Sequence, residues 1–102
     1  MKSKKASVSH RERLIEELKR DPALAADYLN VAAEGGDAQS YLLALRTVAE
    51  AQGMTKVAKA AGVPRESIYR ALSPKGNPRL STLTAVLKAA GLRMTVATNA
   101  RR

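Results

Sequence analysis

Between Met54 and Leu72 the chain reads MTKVAKAAGVPRESIYRAL, and this stretch constrains the fold more than any other. Two short helices that cross closely need a small residue where the second passes over the first. The turn between them needs a residue tolerant of positive φ, and the second helix needs an apolar anchor facing inward. Counted from Met54, Ala58 falls fifth, Gly62 ninth, Val63 tenth and Ile68 fifteenth. That is the spacing of a helix-turn-helix, and Val57, Ala61, Ala71 and Leu72 supply the remaining apolar contacts expected inside it. The same residues also suit an ordinary helical hairpin with a glycine turn. Neither short helix is stable alone, so both require packing from the rest of the chain.

Cap and stop signals supply that rest. Ser9, with Glu12 three residues on, forms a capping box for a first helix running to about Arg20, with Leu14, Ile15 and Leu18 as its apolar stripe. Asp21-Pro22 ends it and opens a second helix, about Pro22 to Glu34, presenting Leu24, Ala25, Tyr28, Leu29 and Ala32. Gly35-Gly36 closes that one. Asp37 caps a third, about Ala38 to Gln52, in which Leu42, Leu45, Val48 and Ala49 recur at the spacing of a buried face, and Gly53 ends it. After Met54–Ala61 and Pro64–Leu72 comes a loop, Ser73 to Leu80, rich in Pro and Gly. Ser81 is expected to cap a last helix with Leu83, Val86, Leu87 and Ala90 inward, closed by Gly91. The period then changes to two: Leu92, Met94 and Val96 alternate with Arg93, Thr95 and Ala97, which predicts a short strand.

Charge is distributed unevenly along this succession. The net charge is +9 over 102 residues. Residues 1–50 hold eight Lys/Arg and eight acids, whereas residues 51–102 hold ten Lys/Arg and one acid, Glu66. A polyanion partner for the second half follows, against the plainer reading of a solubilising basic surface. With no Cys and a single histidine, His10, there are no disulfides, no zinc site and no nucleophile–base pair, so neither an enzyme, a metal nor a cofactor is expected. No apolar run approaches the roughly 18 to 20 residues of a membrane span, and a cytoplasmic protein without membrane contact is the expectation.

If Ile68, Ala71 and Leu72 face the core, Arg65, Glu66, Tyr69 and Arg70 lie on the outward face of the second motif helix. These are the side chains expected to read bases in the major groove of double-stranded DNA. An arginine donates two bonds to a guanine edge, and a glutamate accepts from a cytosine amine. Tyr69 suits a thymine methyl or a phosphate, or equally a flat position on its neighbours. Thr55, Lys56, Lys59, Lys75 and Arg79 flank the motif and are assigned to phosphates, which position a protein on DNA without conveying sequence.

From Asp21 to Val96 the chain resembles the addiction-module antidote proteins, lambda-repressor-like helix-turn-helix antitoxins of two-gene toxin–antitoxin modules. The stretches that carry the resemblance are DPALAADYLNVAAEGGD, YLLALRTVAEAQGMTKVAKAAGVPRESIYRALSPKGNPRLSTL and VLKAAGLRMTV. It implies an antitoxin that neutralises a RelE-like or HigB-like ribonuclease toxin and represses its own operon as a homodimer on a palindromic operator. It places the DNA-reading positions on Arg65, Glu66, Ser67, Tyr69 and Arg70. The usual family start is replaced here by a basic arm and the helix HRERLIEELKRD. A stand-alone transcriptional regulator and a helical protein-interaction adaptor remain the alternatives.

The expected architecture is therefore an all-α, lambda-repressor-like helix-turn-helix bundle with a short C-terminal β-strand. A flexible basic arm spans 1–8, one domain spans 9–98, and a basic tail spans 99–102. A lone strand leaves backbone groups unpaired. Leu92, Met94 and Val96 are thus expected to pair with a second copy, or to extend a toxin's sheet edge, unless the segment is a frayed tail. The first helix is expected either to complete the core or to offer an amphipathic surface to a partner.

Overall fold

Side-chain caps set where the first three helices begin. The computed structural model describes residues 9–99, so the arm expected over 1–8 and the end of the tail lie outside the described residues. Helix α1 spans His10–Arg20. The Ser9 hydroxyl accepts from the Glu12 N–H at 3.0 Å, and the Glu12 carboxylate accepts from the Ser9 N–H at 3.2 Å. This reciprocal pair satisfies two amide donors that a bare helix start leaves open. Helix α2 spans Pro22–Glu34, with the Asp21 carboxylate accepting from the Ala23 and Leu24 N–H groups. Helix α3 spans Ala38–Gln52, with the Asp37 carboxylate accepting from the Gln39 N–H.

Helices α4 (Met54–Ala61), α5 (Arg65–Ala71) and α6 (Leu80–Ala89) have no side-chain cap. Two expected starts shift as a result. Pro64 stands before α5, not inside it, because its ring fixes φ at −63° while ψ turns to 151°, which is extended. Ser81 does not cap α6: Arg79 occupies that position with ψ 158°, and its carbonyl accepts from the Thr82 and Leu83 N–H groups at 3.0 Å. Ser81 thus sits inside the first turn, where its own carbonyl accepts from the Thr84 hydroxyl at 3.1 Å. No side chain caps the remaining N–H groups at this helix start.

The short C-terminal strand does not form: among the described residues all regular structure is helical. A strand exists only within a ladder, and no second extended segment lies beside residues 92–98. The N–H of Leu92 still donates to the Leu87 carbonyl at 2.8 Å, closing α6. Beyond it, among the described residues, no backbone bond involves Arg93 to Thr98.

Helix α3 is the centre of the arrangement, packing against α1, α2, α4 and α6. Its predicted face, Leu42, Leu45, Val48 and Ala49, is buried, joined by Ala44, Thr47 and Ala51. Leu18 of α1, Val57 of α4, Ile68 of α5, Leu72 at the end of α5 and Val86 of α6 meet it, each at most 1 % exposed. Burying one such side chain contributes about 1.5–3 kcal/mol, so every helix outside the α3 centre is fastened by at least one residue that matters, with Leu29 serving α2. The two readings of α1 are settled in favour of the core, with Leu14 and Ile15 packed beside Leu18.

Candidate nucleic-acid interface

The turn after α4 has the geometry its sequence demands. Gly62 sits at φ 71°, ψ 30°, a left-handed conformation that costs a side-chain-bearing residue energy and glycine none. Its N–H donates to the Lys59 carbonyl at 3.2 Å, and the Val63 N–H donates to the Ala58 carbonyl at 3.1 Å. This is the Schellman pairing that ends a helix and redirects the chain. Ala58 is 5 % exposed, as a close helix approach requires, and α5 packs on α4. Ile68 and Leu72 anchor α5, leaving its other side to solvent.

That outer side carries Arg65, Glu66 and Arg70, all exposed. Ser67 is half-buried, with its N–H donating to the Pro64 carbonyl at 2.9 Å. Tyr69 lies against its neighbours, one of its two expected positions. It is half-buried against the core, and the guanidinium carbons of Arg46 and Arg65 each lie 5.4 Å from its ring centroid. Its hydroxyl accepts from Arg65 at 3.3 Å. Arg46 also pairs with Glu50 at 3.5 Å, and Glu50 is bonded in turn by Arg11 of α1. One chain of contacts thus runs from α1 through α3 to α5. Sequence reasoning passed over Arg46. The signal was present: within α3 it is the single cation and Glu50 the single acid, four residues apart on one face.

The flanking residues assigned to phosphates are all exposed: Thr55, Lys56 and Lys59 on α4, and Lys75 and Arg79 in the connection to α6. That connection is pressed against the end of α5. A Cβ at Gly76 would stand 2.0 Å from the Ala71 carbonyl oxygen, so only glycine fits there. The Gly76 N–H donates to the Ser73 carbonyl at 2.8 Å, and the Ser73 hydroxyl donates to the Arg70 carbonyl at 2.8 Å. Lys75 is thereby held close in sequence and space to α5. The three apolar residues of the expected strand separate: Leu92 packs against the chain's own core, while Met94 and Val96 are exposed, Val96 at 96 %. Among the described residues no group of His, Cys, Asp or Glu is placed to hold a metal ion, and no helix is long and apolar enough to cross a membrane.

Residues 11–98 match the family described as "Probable addiction module antidote protein". The chain belongs to this antidote family. The match begins inside α1, so the stretch HRERLIEELKRD, which reads as a departure from the usual family start, lies within the family's span from Arg11 onward. A protein of Haemophilus influenzae (strain ATCC 51907 / DSM 11121 / KW20 / Rd), described as uncharacterized, is 39 % identical over 69 residues, which cover 68 % of this chain and 71 % of that protein. No solved structure matches the chain. Membership in an antidote family implies a toxin partner in general terms and suggests a regulatory role. The α4–α5 geometry bears on what else such a protein binds.

Proposed function

We propose that this antidote-family chain is a sequence-specific DNA-binding repressor that serves as the antitoxin of a toxin–antitoxin module and controls its own operon. The observation that carries the reading is the α4–Gly62–α5 pair, with Arg65, Glu66 and Arg70 exposed on the helix that α4 supports. In this reading the pair is a helix-turn-helix and α5 its recognition helix. A helix held by one apolar side and offering two arginines and a glutamate on the other suits the major groove, where arginine selects guanine and glutamate selects cytosine. Thr55, Lys56, Lys59, Lys75 and Arg79 surround it as phosphate contacts, and the excess of cations after residue 50 supports a polyanion at this end.

A palindromic operator calls for a two-fold protein. In this reading two copies pair along residues 92–98, of which Arg93 to Thr98 make no backbone bond among the described residues and Met94 and Val96 are exposed. The toxin is a RelE-like or HigB-like ribonuclease encoded beside the chain. Footprinting on the DNA upstream of the gene tests the repressor: protection of two half-sites about one helical turn apart is expected, and the absence of any protected site refutes it. Co-expression with the neighbouring reading frame tests the antitoxin role, through growth rescue and co-purification. Deletion of Arg93 to Arg102 that leaves a dimer unchanged in sedimentation removes the pairing of residues 92–98.

A further inference from the structure

We propose that Arg46 contacts the DNA backbone and that Tyr69 is a positioning residue, its ring holding Arg46 beside Arg65. This deepens the DNA-binding reading and rests on it. Arg11, Arg46 and Arg65 are linked into one network by the Tyr69 ring and a single carboxylate, Glu50. Three guanidinium groups against one carboxylate leave a local excess of two positive charges. Because Arg46 and Arg65 each lie 5.4 Å from the same ring centroid, the two charges are at most about 11 Å apart, close to the Debye length of about 8 Å at physiological salt. Holding like charges together is unfavourable in the free protein and favourable once an anion arrives.

Phosphate is the anion that the planar Arg46 guanidinium fits best. The backbone of a duplex lying against α5 brings it within reach, because Arg65 and Arg70 stand on the same short helix. Arg46 is fixed before binding by the ring on one partner and by Glu50 on the other, while its side chain remains 35 % exposed. Little rotamer freedom is left for it to lose on contact. Tyr69 thereby leaves the set of base readers: its ring and hydroxyl are both engaged by arginines.

The test is a salt series of fluorescence anisotropy on the upstream DNA and a scrambled duplex, using full-length wild type, Arg46→Met, Arg46→Lys, Tyr69→Leu and Tyr69→Phe. Arg46→Met is expected to reduce the slope of log K against log salt by about 0.9, the value of one phosphate, equally on both DNAs. Arg46→Lys keeps the charge and restores the slope, which separates a lost contact from a lost fold. Tyr69→Leu is expected to weaken binding by about 2- to 30-fold, the range spanned by a cation–π contact, and Tyr69→Phe, which keeps the ring, rescues most of that. Arg46→Met with an unchanged slope overturns the backbone contact while wild-type specificity stands. Tyr69→Phe that weakens binding as much as Tyr69→Leu overturns the positioning role of the ring. Wild type that binds neither DNA overturns this proposal together with the functional reading.

Discussion

The two halves of this chain use charge in opposite ways. In the first, acids and bases balance, and both ion pairs among the described residues converge on Glu50 of α3. In the second, ten cations stand against the single acid Glu66, which is exposed, and neither ion pair among the described residues involves this half. Exposed ion pairs contribute only about 0.2–1 kcal/mol each, so the balance in the first half is not what holds it together; Leu18, Leu45 and Val48 do that. The contrast shows that net charge and core burial are distributed differently along the chain. Helices α1 to α3 carry the side-chain caps and the balanced charges, and α4 to α6 share the core while carrying exposed cations outside it.

The comparison can be broken from either side. Leu18→Ala carries the largest expected effect, a loss of about 2–5 kcal/mol from the cavity it leaves, read by urea denaturation; the salt slope of DNA binding should stay at the wild-type value. A loss below about 0.5 kcal/mol, the range of neutral surface changes, removes α1 from the scaffold. Next, Arg65→Ala and Arg70→Ala should each cut discrimination between the upstream and scrambled DNA by about 1–3 kcal/mol with stability unchanged. A variant that unfolds instead places its arginine with the scaffold. Asp37→Ala should cost about 1 kcal/mol of stability through the lost cap, measured by thermal unfolding, and leave DNA discrimination intact. Smallest in specificity are Lys56→Gln and Lys75→Gln, each expected to reduce the salt slope by about 0.9 on both DNAs alike; a selective loss on the upstream DNA makes that lysine a base reader.

Where local chemistry decides, the sequence was readable. The caps Ser9, Asp21 and Asp37, the left-handed Gly62 and the buried Ile68 all stand where their residue types predict. Where the outcome depends on what another segment does, it was not. Ser81 is a good cap by composition, yet the cap falls two residues earlier, at Arg79, which already has the extended ψ a cap requires. Residues 92–98 alternate as a strand does, but alternation makes a strand only beside a partner, and Leu92 is drawn instead into the chain's own core. Tyr69 counts as an outward position by helical spacing alone. Arg46 reaches it from α3, a neighbour that periodicity within α5 does not reveal.

The central claim is that the basic half of the chain after residue 50 binds a particular DNA sequence through α5. Fluorescence anisotropy of the wild-type protein on its own upstream DNA and on a scrambled duplex, across a salt series, tests it most directly. The account predicts tight binding to the upstream DNA, weaker binding to the scrambled one, and log K falling linearly with log salt by about 0.9 per neutralised phosphate. Equal, weak binding to both would contradict it and leave the basic half as a surface for a protein partner.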